Sequence, residues 1–127
     1  MPTPITPRYA RDEVRAGLDA YRVEALHDLA EPFPRDDVRA MQARADVYEH
    51  VRTDLDRLGV SRTIARVVQA YKQVPIVPRR LLGRHPAARG RGEALERVLR
   101  AAGIRESQIE QLRRLRPRFV DDPQAAS

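Results

Sequence analysis

The densest group of residues able to bind an anion is the stretch VPRRLLGRHPAARGRG at residues 77–92. Five of its sixteen residues are arginine, three are glycine and none is acidic. A guanidinium group presents a planar fork of donors that matches phosphate, and glycine lets the backbone approach a phosphate closely. The stretch therefore predicts either a phosphate-binding loop or a solvated linker.

Basic residues also precede this stretch, while acidic residues are missing. Residues 61–92 contain seven arginines and Lys72 but no aspartate or glutamate. Residues 1–60 carry a net charge of −3, whereas residues 61–127 carry +9. A GC-rich genome explains many arginines but not the missing acids, so the asymmetry indicates an anionic partner, most commonly nucleic acid. We predict that eight side chains contact the RNA or DNA backbone: Arg62, Arg66, Lys72, Arg79, Arg80, Arg84, Arg89 and Arg91.

The residues that catalysis needs are scarce or badly spaced. The chain has no cysteine, which removes thiolate nucleophiles, disulfides and cysteine-ligated zinc. Gly83 and Gly90 are too far apart for the phosphate-binding loop of nucleotide hydrolases, and no lysine follows them. Glu24 and His27 form one Glu-x-x-His pair, but a di-iron site needs two. We therefore predict no enzyme, no metal site and no cofactor.

Helical periodicity predicts an all-α fold, a small bundle in which a long antiparallel hairpin precedes three or more shorter helices. The first hairpin helix is predicted over residues 7–30, with Thr6 as its N-cap. The prolines of EPFP end this helix. The second is predicted over residues 35–58, with Gly59 as its C-cap. The hairpin core is expected to include Leu18, Tyr21, Tyr48 and Leu55.

In the second half, Ser61 is predicted to cap a helix over residues 61–74. Its apolar stripe is Ile64, Val67, Val68, Tyr71 and Val74, and its polar strip is Arg62, Arg66, Gln69 and Gln73. Residues 79–84 are expected to form a short helical turn, and residues 85–92 an irregular segment. Two further helices are predicted over residues 93–102 and 106–116, with Phe119 closing the core behind them.

These elements predict a single helical domain over residues 1–119. It consists of the hairpin at 7–58 and a basic half at 61–119, followed by a frayed tail at 120–127. No apolar run is long enough to span a membrane, and the first residues do not have the pattern of a secretory signal. A cytoplasmic protein is the expectation.

Two stretches resemble helix-turn-helix motifs. LDRLGVSRTIARVVQAY at 55–71 is similar to the turn and recognition helix of lactose-repressor-type proteins but lacks one residue after Ser61. VLRAAGIRESQIEQLRR at 98–114 places apolar residues around a glycine turn at the spacing of the motif. It would present Arg105, Gln108, Gln111 and Arg114 to DNA. An ordinary helical hairpin explains the second stretch equally well.

The first functional hypothesis is a non-enzymatic, nucleic-acid-binding helical subunit of a nucleoprotein complex. Its acidic first half would dock on a basic surface of another protein subunit, possibly a copy of itself. RGRG at 89–92 resembles arginine-glycine segments that bind RNA. Across residues 7–119 the chain also resembles, in overall type, the small helical subunits of CRISPR effector complexes. This resemblance implies a subunit that lies along a guide RNA or a displaced DNA strand in antiviral defence, and it transfers no individual residue.

Two alternatives remain open. One is a protein–protein adaptor, such as a phage or regulatory helical bundle, in which the basic half would contact an acidic protein. The other is a helix-turn-helix DNA-binding regulator.

Overall fold

The protein folds as an all-α bundle, which this computed structural model describes over residues 5–33, 36–81 and 83–118. The predicted fold class is confirmed. In the described ranges no helix is both long enough and apolar enough to cross a membrane. The helices, which include one short 3₁₀ turn, are α1 (Arg11–Ala30), α2 (Val38–Leu58), α3 (Val60–Gln73), the 3₁₀ turn (Arg79–Leu81), α4 (Pro86–Ala101) and α5 (Glu106–Arg114).

The predicted hairpin consists of α1 and α2, and its core is the expected one. Leu18, Tyr48 and Leu55 are fully buried. Tyr21 is half-buried, and its ring stacks on that of Tyr48 with 5.6 Å between centroids. Aromatic and leucine side chains from both helices therefore supply the apolar burial that holds the hairpin together.

The predicted start of α1 is wrong by four residues. The helix begins at Arg11 with Ala10 as its N-cap, so Thr6 does not cap it. The backbone N–H groups of Arg8 and Tyr9 instead donate to the carbonyl oxygen of Ala102, at 2.9 and 3.4 Å. This contact ties the chain before α1 to the end of α4, which the local capping pattern does not reveal.

The junction between α2 and α3 is tighter than predicted. Asp37, rather than a residue near 35, caps α2 by accepting a hydrogen bond from the backbone N–H of Arg39 at 2.8 Å. Gly59 has a φ of +80°, ends α2 and immediately precedes α3, so Ser61 lies inside α3 and caps nothing. Only glycine adopts this φ at low cost.

The largest correction concerns the segment 85–92, which is helical from residue 86 onwards rather than irregular. Helix α4 begins at Pro86, whose fixed φ suits the first helical position, and it runs to Ala101. Gly90 lies where α4 crosses α2, and a Cβ atom placed on it would be 2.3 Å from the carbonyl oxygen of Ala40. This glycine therefore permits a close helix crossing and does not supply flexibility.

The C-terminal helices agree with prediction except at their ends. Gly103 has a φ of +82° in the turn after α4, and α5 ends at Arg114 rather than at 116. Ile109 and Leu112 are buried and join the core. Phe119 and the predicted tail at 120–127 lie outside the described residues.

We expect Gly90→Ala to destabilise the fold. Alanine favours a helix by about 1 kcal/mol relative to glycine, but the new methyl group would collide with the backbone of α2. Over-packing of this kind costs typically about 1–3 kcal/mol. The measurement is the free energy of unfolding in denaturant.

Gly83→Ala is the matched control, since no heavy atom lies within 4 Å of the position of its Cβ. It should leave the free energy of unfolding unchanged or raise it by roughly 0.4–1 kcal/mol. Equal stability of the Gly90→Ala variant and the wild type would mean that the two helices do not cross this closely.

Candidate nucleic-acid interface

The outer face of α3 carries the polar strip that the periodicity predicts. Arg62, Arg66, Gln69 and Gln73 are all exposed, whereas Ile64, Val67 and Tyr71 are buried on the opposite side. Arg66 lies 3.6 Å from the buried carboxylate of Asp54, a distance beyond a hydrogen bond, and its side chain stays 59% exposed. The helix therefore presents two guanidinium groups to solvent.

The segment between α3 and α4 is attached to the rest of the protein. Arg116 donates hydrogen bonds to the carbonyl oxygens of Val74 and Pro75, at 2.8 and 3.0 Å. Its guanidinium carbon lies 4.9 Å from the ring centroid of Tyr71. The backbone N–H of Ile76 donates to Pro117, and Leu81 is buried. These contacts hold both the start and the middle of the segment in place. A solvated linker would make no such contacts.

This attached segment and its neighbours hold most of the predicted basic residues. Arg79 and Arg80 lie in the 3₁₀ turn, Arg84 follows it, and all three are exposed. Lys72 is half-buried in the last turn of α3, and Arg91 is exposed on α4. In the described part of the chain no ion pair joins a carboxylate to any of six predicted residues: Arg62, Lys72, Arg79, Arg80, Arg84 and Arg91.

Arg89 has a different environment, which corrects the view that every arginine of this stretch is unpaired. Its guanidinium donates to Asp36 at 2.7 Å and to Glu93 at 3.1 Å. The buried Arg44 donates to the same two carboxylates, at 3.0 and 3.1 Å. Residues two apart on an α-helix point in nearly opposite directions. Arg89 therefore faces α2, while Arg91 faces solvent.

The partly buried charge cluster of Asp36, Arg44, Arg89 and Glu93 shifts the pKa values of Asp36 and Arg89. The hydrogen bond from Arg89 holds the pKa of the Asp36 carboxyl well below its usual value of 3.8. The same bond raises the pKa of Arg89 above its usual range. Both groups therefore remain ionised across the physiological range, and Arg89 is a structural residue that joins α4 to α2.

Elsewhere in the described chain, arginines are commonly paired. Arg52 donates to Asp19 at 2.7 Å, and Arg100 donates to Glu106 at 2.5 Å. Further pairs join Arg15 to Asp56, Arg22 to Glu49 and Arg113 to Glu96. The exposed, unpaired arginines are thus concentrated in the acid-free part of the sequence, with a few others elsewhere.

The predicted helix-turn-helix residues fall on and before α5. Arg105, Gln111 and Arg114 are exposed, and Gln108 is half-buried. Glu106 and Glu110, which would repel phosphate, lie on the same short helix and pair with Arg100 and Arg113. In the other candidate stretch, the helix before the turn is α2, whose 21 residues greatly exceed the motif.

Two of the histidines lie beside carboxylates of their own helix or its end. His27 is 3.2 Å from Glu31, and His50 is 3.5 Å from Asp54. Over the described ranges, no three histidine, aspartate or glutamate side chains are grouped so that they could hold a metal ion.

Comparison of the chain with protein-family models, with curated proteins and with solved structures finds no match.

Two residues that shape this surface were missed by the sequence analysis. Arg116 secures the segment after α3, and Asp36 removes Arg89 from the set of free cations. Their partners are 42 and 53 residues away in the chain. No local pattern indicates such pairs. The start of the helix that carries Arg89 is indicated by Pro86, because proline favours the first helical position.

We expect Arg89→Gln to destabilise the protein in a pH-dependent way. A folded-state pKa below the unfolded value means that the Asp36 carboxylate adds stability above about pH 4, and that this stability is lost as the pH falls further. Hydrogen bonds to charged groups contribute roughly 1.5–3 kcal/mol. The variant should therefore lose about that much at pH 7 and progressively less between about pH 4 and pH 2.

Denaturant unfolding at several pH values measures this difference. Arg84→Gln removes an exposed, unpaired guanidinium five residues away and should unfold like the wild type throughout. A deficit for Arg89→Gln that stays constant down to pH 2 would contradict the pairing with Asp36.

Proposed function

We propose that the protein is a non-enzymatic, nucleic-acid-binding subunit of a nucleoprotein complex that holds the phosphate backbone with arginines. The interface consists of the outer face of α3, the segment between α3 and α4, and Arg91 on α4. The observation that carries this proposal is the set of exposed, unpaired cations in a chain whose arginines otherwise commonly pair with carboxylates. Assignment to the small subunits of CRISPR effector complexes and a cytoplasmic location stay predictions from the sequence.

Charge and chemistry support a phosphate ligand. Unpaired guanidinium groups already lie in water, so binding a phosphate does not first require an internal ion pair to break. Arginine also forms bidentate hydrogen bonds with phosphate oxygens. Each phosphate that is neutralised releases condensed counterions, which provides most of the free energy of non-specific binding.

The same surface has no exposed Phe, Tyr or Trp ring in the described residues. Tyr71 is the only Phe, Tyr or Trp in residues 61–92, and it is fully buried. No aromatic ring of this segment is therefore exposed for base stacking, which binders of single strands commonly use. Arginine contacts to the backbone fix position but carry no sequence information. We expect binding with little dependence on sequence.

Binding to a mixed-sequence oligonucleotide should weaken steeply with salt. Each neutralised phosphate contributes about 0.7 (single strand) to 0.9 (duplex) to the slope of log K against log salt concentration. Fluorescence anisotropy over a salt series measures this slope. Affinity that is flat between low and physiological salt, or absent at low salt, would rule out the proposal and favour an acidic protein as the partner.

The triple variant Arg79→Gln, Arg80→Gln, Arg84→Gln should lose most of this affinity. If each arginine contacts one phosphate, the salt slope should fall by about 2–3. Thermal stability should remain close to wild type, because these side chains make no ion pairs in the described chain. The corresponding triple lysine variant keeps the charge but loses bidentate contact, so its affinity should fall only partly and its slope should persist.

The matched control removes the same charge elsewhere, with Arg11→Gln, Arg57→Gln and Arg105→Gln. All three positions are exposed and lie outside the proposed interface. This variant should retain most of the affinity. Equal losses in the two triple variants would show that net charge alone, and no defined surface, determines binding.

A further inference from the structure

A groove of about 990 Å³ lies between α2, α3 and α4, separate from the segment that holds Arg79, Arg80 and Arg84. Its lining on α2 extends from Val38 to Asp54, about 24 Å along a helix. This length suits about four turns of another helix. Neither α1 nor α5 contributes to the lining. The apolar lining includes Val47, Val51, Val67, Ala70, Ala87 and Leu95.

Each wall of the groove carries an arginine. Arg39 belongs to α2, Arg66 to α3 and Arg91 to α4. Asp46 and Asp54 also line the groove, but Asp54 is buried beside Arg66. Arg91 has no carboxylate partner in the described residues, so the groove combines an apolar floor with a cation available to an acidic ligand.

A surface with the complementary character lies on the outward face of α1. Ala16, Ala20, Val23, His27 and Ala30 recur at spacings of three or four, so they share one face of the helix, and all are exposed. Val23 is 64% exposed. Small side chains of this kind let a second helix approach closely.

The charges along this face of α1 are acidic. Asp12, Glu13 and Glu24 flank this face, and no ion pair joins them to a cation within the described chain. The arginines Arg15 and Arg22 lie towards α2 and pair there with Asp56 and Glu49. The outward face therefore offers carboxylates to a groove in which Arg39 pairs with Asp37 and Arg66 lies beside Asp54, while Arg91 stays available to an acidic ligand.

One molecule cannot bring these two surfaces together. The inner face of α1 packs on α2 through Leu18 and Tyr21, so its outward face points away from α2, and the groove lies between α2 and two other helices. We infer that the groove of one molecule binds the outward face of α1 of a second copy. The contact joins two unlike surfaces and is therefore heterologous.

This inference does not depend on nucleic-acid binding. It uses the floor of the groove and the face of α1, and it shares only Arg66 and Arg91 with the proposed nucleic-acid interface, which otherwise lies on the outer face of α3 and the segment after it. Because bound nucleic acid can bridge protein molecules, assembly must be measured on nuclease-treated protein. The triple variant Arg79→Gln, Arg80→Gln, Arg84→Gln should assemble like the wild type.

Two variants disable the two surfaces separately. Ala20→Glu with Val23→Glu places carboxylates at exposed positions of α1 that would enter the apolar floor, where an unpaired charge is costly. Ala70→Glu with Ala87→Glu places carboxylates in the groove, four residues from Arg66 and Arg91 respectively. Gln111→Glu with Leu115→Glu adds the same charge at exposed positions at the end of α5 and serves as the control.

Light scattering over a concentration series should show wild type and control rising to a dimer or larger. Each surface variant alone should stay at the monomer mass of 14.5 kDa. An equimolar mixture of the two variants should form a dimer and nothing larger. The intact groove of the α1 variant binds the intact α1 of the groove variant, and the other two surfaces are disabled. Thermal melting of each variant confirms that it is folded.

Three results would overturn the inference. A wild type that stays monomeric throughout would mean that the groove takes a different occupant, such as a helix of another protein. Assembly of the α1 variant at wild-type concentrations would exclude α1 as the occupant. Failure of two folded variants to form a dimer on mixing would exclude a heterologous contact.

Discussion

The close crossing of α4 over α2 is the constraint on which the rest of the structure depends. Gly90 lets the two backbones approach, and Asp36 is held between the buried Arg44 and Arg89 beside that crossing. Arg44 is buried, and a buried charge without a partner is strongly destabilising, so Arg44 favours the arrangement that keeps Asp36 and Glu93 beside it. Helices α1 and α3 each pack on both α2 and α4. The groove and the arginine-bearing segment follow from that arrangement.

Arginine has two distinct roles within one short stretch. Arg89 and Arg91 flank Gly90, yet the helix directs one towards α2 and the other towards solvent. In a disordered arginine-glycine segment both would be equivalent cations. Helix formation divides them into a structural residue and a residue free to bind an anion. The charge available to a partner is therefore smaller than composition implies, and it is confined to one part of the surface.

Most of the fold could be predicted because apolar residues recur at helical spacing in α1, α2, α3 and α5. The N-terminal part of α4 could not be predicted, because the glycines and arginines at 89–92 have no apolar periodicity. Glycine is needed at position 90 because the backbone of Ala40 on α2 lies so close, and the local sequence does not reveal this contact. The predicted start of α1 was wrong because tertiary contacts, and not the local capping pattern at Thr6, determine where this helix begins. The exposed strip of α3 was predictable because it lies opposite a clear buried stripe. The partner of Arg89 was not, since it is 53 residues distant.

The choice between a linker and a phosphate-binding segment also depends on contacts that are remote in sequence. Arg116 bonds the carbonyl groups of Val74 and Pro75, and Leu81 is buried in the middle of the segment. A solvated linker would gain nothing from these contacts. A binding segment gains affinity from them, because a backbone that is already ordered before binding loses less conformational entropy when the ligand binds. The guanidinium groups of Arg79 and Arg80 are exposed on this ordered backbone, and no ion pair joins them to a carboxylate of the described residues. An ordered backbone that carries unpaired cations is the combination that a phosphate ligand favours.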